Sequence, residues 1–265
     1  MSLPPDTHIH TPLCQHAVGA PADYVQAAAR NGIPQICFTD HAPAPDGYDP
    51  ESRMALDQFP EYQAMVAEAA DTASIPVRFG IEADYYPGAP TFLDPWLERQ
   101  SFDLVLGSVH FIGDWGFDNP KNLARWDQAD PEQIWSEYFR LIALLADTRL
   151  FDVVGHLDLP KKFGHRLPEP RVRELAQPAL DRIAAADMAI ELNTGGLRKP
   201  AREIYPTPTL LELACERDIP IAFGSDSHAP EEVGYAFEQA VALARSAGYT
   251  QAARFRQRRR TLVPL

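Results

Sequence analysis

The residues with the clearest chemical potential open the chain. In Asp6-Thr7-His8-Ile9-His10 two imidazoles stand one residue apart. On an extended segment such a pair projects to one side, about 7 Å apart along the strand, which is a chelating arrangement. Thr7 and Ile9 are β-branched and suit a short strand, and Pro12 breaks it into a loop that carries His16. By itself, His-x-His describes a pair of core or surface histidines equally well, so its meaning depends on the other histidines.

The sequence contains eight histidines. Seven of them, His8, His10, His16, His41, His110, His156 and His228, fall at or just after the ends of apolar segments, and only His165 does not. Any one of these reads well as a structural histidine. Seven neutral imidazoles converging on one rim are wasteful for stability and natural for divalent metal binding. Glu82 and Asp226 add carboxylates at similar positions, and Asp40, just before His41, is a candidate to orient a ligand histidine through its other ring nitrogen. Nitrogen and oxygen donors without thiolate permit Zn, Mn or Fe. Around ten ligands exceed what one or two ions ordinarily take, so three ions is the natural count.

The elements that must position these groups alternate regularly. Strands are expected at the N-terminal His-x-His and over 35–39, 77–81, 104–109, 151–155, 188–192 and 220–224. Helices are expected over 22–31, 62–73, 93–100, 131–146, 170–186 and 209–217, and from 231 to about 247. Seven strand-then-helix units imply an α/β fold with a parallel sheet, best satisfied by a distorted (β/α)7 barrel of TIM-barrel type. His8 and His10, His41, Glu82, His110, His156, Asn193, and Asp226 with His228 each end a strand, where barrel loops converge on one pocket. The Pro- and Gly-rich stretch 42–60 is long enough to cover such a site.

Composition narrows the classes. A chain of 265 residues without a Gly/Ser linker or internal repeat is expected to form one domain over 1–265. The net charge of -13 argues against nucleic acid as partner and for a small substrate. The N-terminus lacks a signal-peptide pattern, and no apolar run approaches the ~20 residues of a membrane span. A soluble, cytoplasmic protein with no obligate protein partner is expected. Cys14, Cys37 and Cys215 are in no metal-binding spacing and read as reduced packing residues, although Cys14 lies close to His16. The 25 prolines punctuate the elements, as Pro131 and Pro208 do at helix starts. The arginines at 254, 256 and 258–260 read as pairing with carboxylates or lying in solvent.

These segments together resemble the PHP (polymerase and histidinol phosphatase) superfamily over almost the whole chain. The resemblance lies in Asp6 to His10, His16, Thr39-Asp40-His41, Gly80-Ile81-Glu82, Ser108-Val109-His110, Gly155-His156-Leu157-Asp158 and Gly224 to His228. Trp115 to Asp118, Leu159-Pro160-Lys161-Lys162-Phe163, and Glu191 to Lys199 followed by Glu203-Ile204-Tyr205-Pro206, are similar to its histidinol-phosphate phosphatase branch. The resemblance implies a PHP fold with three divalent ions. One ion would take His8, His10, Glu82 and Asp226, a second would share Glu82 and add His110 and His156, and a third would take His16, His41 and His228. It also maps phosphate-binding basic residues to Arg198 and Lys162.

The implied reaction is hydrolysis of L-histidinol phosphate in histidine biosynthesis, with Glu82, Asp226 and Arg198 in catalytic positions. The cationic leaving alcohol asks for acidic or aromatic neighbours, and Asp84, Tyr85, Phe111, Trp115, Asp118 and Glu203 are candidates. The alternative is a PHP-type phosphoesterase acting on nucleotides or another small phosphate monoester. An amidohydrolase-type barrel would be expected to carry a bridging lysine at a middle strand end, which this chain lacks. A metal-binding regulatory module without activity would be expected to have lost some ligands.

Overall fold

The computed structural model describes residues 3–44 and 46–265. Its centre is a seven-stranded parallel sheet made of β1 (Asp6–Ile9), β2 (Ile36–Phe38), β3 (Val77–Asp84), β4 (Leu104–Ser108), β7 (Val153–Val154), β8 (Ala189–Asn193) and β9 (Ile221–Gly224), side by side in chain order. The order β1-β2-β3-β4-β7-β8-β9 skips only the small hairpin of β5 (Phe111–Ile112) and β6 (Trp115–Gly116). The sheet curls until its first and last strands meet. Ile9 bridges Ser227, His10 N donates to Ser227 O at 2.9 Å, and Thr7 Oγ1 donates to Phe223 O at 2.8 Å. The result is the expected distorted (β/α)7 barrel.

Almost every strand residue is buried, as a sheet covered on both sides requires. The covering helices are α1 (Pro21–Arg30), α2 (Phe59–Thr72), α3 (Ala89–Leu97), α4 (Pro131–Thr148), α5 (Glu169–Ala185), α6 (Pro208–Cys215) and α7 (Phe237–Ser246). Helix α4 shows the logic. Pro131 occupies its first turn, Asp130 caps it by accepting from Glu132 N at 3.0 Å, and Trp135, Tyr138, Leu141, Ile142 and Leu145 form its buried stripe.

Two expectations are corrected. Strand β3 runs to Asp84 rather than 81, so Glu82 and Asp84 lie within it and, two apart, face one side. The last helix begins at Phe237, not 231. Pro230–Glu232 is a separate 3-10 turn, and Gly234 and Ala236, both with positive φ, interrupt the run. The arginine-rich tail is the antiparallel hairpin β10 (Gln251–Arg256) and β11 (Arg259–Pro264). This hairpin plugs the barrel. Ala253 and Phe255 pack with Cys37, Leu104, Leu106, Val153, Ala189 and Ala222, while Arg258 pairs with Asp152 at 3.0 Å and Arg260 with Asp187 at 2.6 Å. Those carboxylates precede β7 and β8, so the plug sits at the end opposite the rim and uses its arginines on carboxylates.

Candidate metal centre

The C-terminal strand ends form the floor of a cavity of about 690 Å³. Glu82 is its centre. Its Oε2 faces His8 Nε2 at 3.3 Å, His10 Nε2 at 3.6 Å and His41 Nδ1 at 3.1 Å. Its Oε1 faces His156 Nε2 at 3.4 Å and His110 Nε2 at 3.6 Å. One carboxylate thus divides its two oxygens between two groups of imidazoles. Asp226 stands over the first group, with Oδ1 3.4 Å from His10 Nε2 and 3.8 Å from His8 Nε2. Its backbone is left-handed, φ 53°, a conformation that non-glycine residues adopt mainly where the surroundings impose it.

A third group lies to the side. His228 stacks on His10 with ring centroids 4.1 Å apart and on His16 at 4.6 Å. Nδ1 of His16 bonds Cys14 O at 2.7 Å and Nδ1 of His228 bonds Asp226 O at 3.0 Å, which leaves both Nε2 atoms free as ligands. The nine residues singled out from the sequence as metal ligands therefore meet on one rim.

The outer nitrogens of several imidazoles are anchored by buried carboxylates. His8 Nδ1 bonds Glu191 Oε1 at 2.6 Å, His10 Nδ1 bonds Asp40 Oδ1 at 3.4 Å, and His110 Nδ1 bonds Asp84. With Nδ1–H so committed, each Nε2 presents a lone pair. Yet His8 Nε2 and His10 Nε2 are 3.1 Å apart, and His110 Nε2 and His156 Nε2 are 3.2 Å apart. For His8 and His10, whose Nδ1 atoms both face carboxylates, two Nε2 lone pairs cannot face each other at that distance without a cation between or beside them. His41 Nδ1, Glu82 Oε2 and His228 Nε2 are also buried without a hydrogen-bond partner. The residues fit divalent ions.

Proton equilibria report the same need. Burial works against charge on His10, but hydrogen bonds with Asp226 and Asp40 raise it to about 9. Burial is likewise outweighed at His110, which Asp84 raises to about 10. Burial opposes ionisation of Glu82 and Asp226, but their facing imidazoles hold both well below the usual carboxylate range. Burial holds His41 and His228 well below the usual imidazole range. Without metal, protons supply part of the positive charge that this cluster of donors demands.

The residues expected to contact substrate scatter. Lys162 and Asp118 line the cavity and pair at 2.9 Å. Phe111 lines it too. Arg198 does not: Nη2 donates to Ser225 O at 2.8 Å and Asp226 O at 3.0 Å, and Nε lies 3.0 Å from Glu232. Glu203 pairs with Arg166 at 2.8 Å and lies 3.5 Å from Lys161. Trp115 is buried against Trp126, and Tyr85 is buried outside the cavity wall. Asp84 is taken by His110 and the buried Arg53, which also donates to Ala42 O at 2.9 Å. Loop 42–60 is fastened by that arginine and by Gln15 Nε2, which donates to Pro50 O and Arg53 O at 2.8 and 2.7 Å, so that Asp49, Glu51 and Ser52 line the cavity mouth.

Sequence reasoning assigned no role to Glu191, Asp6 or Lys199. Glu191 holds His8 and, through Oε2, accepts from His156 N at 2.9 Å. Asp6 accepts from Ser225 N at 3.0 Å and Gly234 N at 2.9 Å, bracing the Asp226 loop. The available signal was an acidic residue inside an apolar strand, a position that calls for a buried partner. Lys199 lines the cavity beside Lys162. Its partial burial, with Lys162 and Arg198 acting against the attraction of Asp226, keeps its ammonium below the usual lysine range.

Comparison with known proteins adds four observations. A model of the PHP domain matches residues 6–195. A probable histidinol-phosphatase of Deinococcus radiodurans is 47% identical over 247 residues, covering 92% of this chain and 93% of that protein. The histidinol-phosphatase of Bacillus subtilis is 31% identical over 266 residues, covering 88% and 96%. The crystal structure of a Lactococcus lactis histidinol phosphate phosphatase, complexed with zinc, L-histidinol and phosphate, superposes with a TM-score of 0.82 over 97% of this chain and 98% of that one. At 24% identity, that last likeness concerns the fold.

Proposed function

The chain belongs to the PHP domain family, and from that premise we propose that it hydrolyses L-histidinol phosphate to L-histidinol and phosphate. The observation that carries the reading is Glu82, whose two oxygens divide among five imidazoles at the floor of a cavity walled by lysines. The 47% identity with the Deinococcus radiodurans relative, over nearly the full length of both chains, supports the choice of substrate.

Three ions are proposed: one on His8, His10, Glu82 and Asp226, one on Glu82, His110 and His156, and one on His16, His41 and His228. Zn, Mn and Fe all suit these donors, and the zinc in the Lactococcus lactis structure favours zinc. Divalent ions supply Lewis acidity toward phosphoryl oxygens and acidify water near neutral pH. The chain's own groups do the rest. Glu191, Asp40 and Asp84 fix ring orientation at His8, His10 and His110, so the Nε2 lone pairs are preorganised. Asp226, held ionised by the imidazoles it faces, would serve as a metal ligand. Arg198 acts on Asp226 as a positioning residue through the two carbonyls it binds. Lys162 gives positive charge to the wall, and Asp118 restrains it. Asp49, Glu51 and Phe111 give the mouth acidic and aromatic character suited to a cationic alcohol. The protein is proposed to work in the cytoplasm; no helix among the described residues is long and apolar enough to cross a membrane.

The test is phosphate release after metal reconstitution, with L-histidinol phosphate and nucleoside monophosphates compared on one preparation whose metal content is measured. Preference for L-histidinol phosphate by orders of magnitude in kcat/KM is expected. Equal or greater activity on nucleotides would replace the reading by the broader phosphoesterase one.

A further inference from the structure

One buried cation touches both the mouth of the cavity and the groups behind its floor. No helix or strand orders the described residues 42–55, so this part of the mouth depends on a few side-chain fasteners. Arg53, 4% exposed, is the buried one. Its Nη1 donates to Ala42 O at 2.9 Å and its Nε to Asp49 O at 3.1 Å, while Nη2 pairs with Asp84. The carbonyl of Arg53 accepts from Gln15 Nε2 at 2.7 Å, next to His16. The ion pair of Lys121 with Glu51 also crosses the mouth, but both side chains are largely exposed and such pairs contribute little.

Asp84 divides its oxygens. Oδ2 takes Arg53 and Oδ1 takes Nδ1 of His110, whose Nε2 faces Glu82. A second path runs through aromatic rings: the guanidinium carbon lies 4.9 Å from the Tyr48 ring centroid, and Tyr48 packs at 4.7 Å on Phe111, the neighbour of His110. Both routes join the loop to one ligand of the second ion. A planar guanidinium can hold a carboxylate and two carbonyls at once, whereas an ammonium has no such fork. Without the guanidinium, Asp84 is a buried carboxylate missing its cation, and two loop carbonyls lose their donor.

We infer that Arg53 is a positioning residue that couples the mouth of the cavity to its metal floor. It orders residues 46–53 and orients His110 through Asp84, so loading the second ion tightens the loop and an ordered loop tightens the ion. Coupling of this kind is reciprocal, each site gaining the same factor from the other. The inference rests on the three-ion reading and not on the identity of the substrate.

The experiment follows hydrogen exchange of residues 46–53 in the full chain, stripped and loaded with zinc, for the wild type, Arg53→Met and Arg53→Lys. Exchange in the C-terminal hairpin reports global stability, and zinc affinity is measured on the same samples by chelator competition. In the wild type, loading should slow loop exchange by about 5- to 150-fold beyond any change in the hairpin. Arg53→Met should remove that dependence and weaken one ion by about tenfold or more. Arg53→Lys keeps a charge beside Asp84 but not the fork, so it should recover most of the zinc affinity while the loop stays indifferent to metal. If Arg53→Met does not fold, Arg53→Lys carries the comparison of loop exchange. Loop exchange unchanged by zinc in the wild type overturns the coupling, as does a metal dependence that survives in Arg53→Lys. A wild type that binds no divalent ion overturns the three-ion reading together with the inference. Failure of the loaded wild type to hydrolyse L-histidinol phosphate would refute the substrate and leave the coupling standing.

Discussion

Nδ1 of His8 lies 2.6 Å from Oε1 of Glu191, and both side chains are fully buried although 183 residues separate them in the chain. The pair aims His8 Nε2 at Glu82, and its contact depends on Gly224, where a Cβ would come within 1.9 Å of Glu191 Oε1. Glu191→Gln removes the charge while keeping the shape. We expect metal affinity to fall by about 10- to 100-fold, the usual cost of losing such a supporting carboxylate. Competition with a chelator of known affinity measures it, and an unchanged constant would show that His8 needs no anchor.

Arg198 connects the turn after β8 to the Asp226 loop. Arg198→Ala abandons the carbonyls of Ser225 and Asp226, so lower metal content should accompany a higher KM. Arg198→Lys should not restore it, because one ammonium cannot bind two carbonyls and Glu232 in the geometry of a planar fork. Full metal content in Arg198→Ala, with only phosphate affinity lost, would mean that the arginine contacts substrate directly.

The metal-free protein should be sensitive to alkali. His10 and His110 have folded values of about 9 and about 10, above the ordinary 6.5. A raised value contributes stability that is fully present below pH 6.5 and is lost as pH rises through 9 to 10. The loaded protein lacks this loss, since ions require the deprotonated rings. The Tm gap between loaded and stripped protein should therefore widen from pH 6.5 to 9. A constant gap, by differential scanning fluorimetry, would contradict the assignment of these rings.

The C-terminal hairpin is a structural plug. Phe255→Ala opens a cavity among Leu104, Leu106 and Val153 and should cost about 3–5 kcal/mol, read by urea denaturation. The specific activity of the folded fraction at low temperature should persist, because the plug lies at the barrel end away from the ligands. A loss of metal in this variant would couple the two ends.

By itself, the sequence determined the barrel and its rim. Apolar runs of strand length, each followed by a helical stretch, define parallel β/α units, and polar groups at the run ends must gather where those ends gather. His8, His10, His41, Glu82, His110, His156, Asp226 and His228 were legible for that reason. Tertiary structure alone decided the partners. That Glu82 divides its oxygens among five rings, that Glu191 and Asp84 anchor His8 and His110, and that Arg198 turns toward the Asp226 loop rather than the cavity all depend on which side chains approach across the closed sheet. Periodicity reports which face a residue occupies, whereas a hydrogen-bond partner is chosen by distances of a few ångströms between segments remote in the chain. The arginine-rich end makes the same point: its alternation became meaningful only once the open bottom of the barrel was there to accept Ala253 and Phe255.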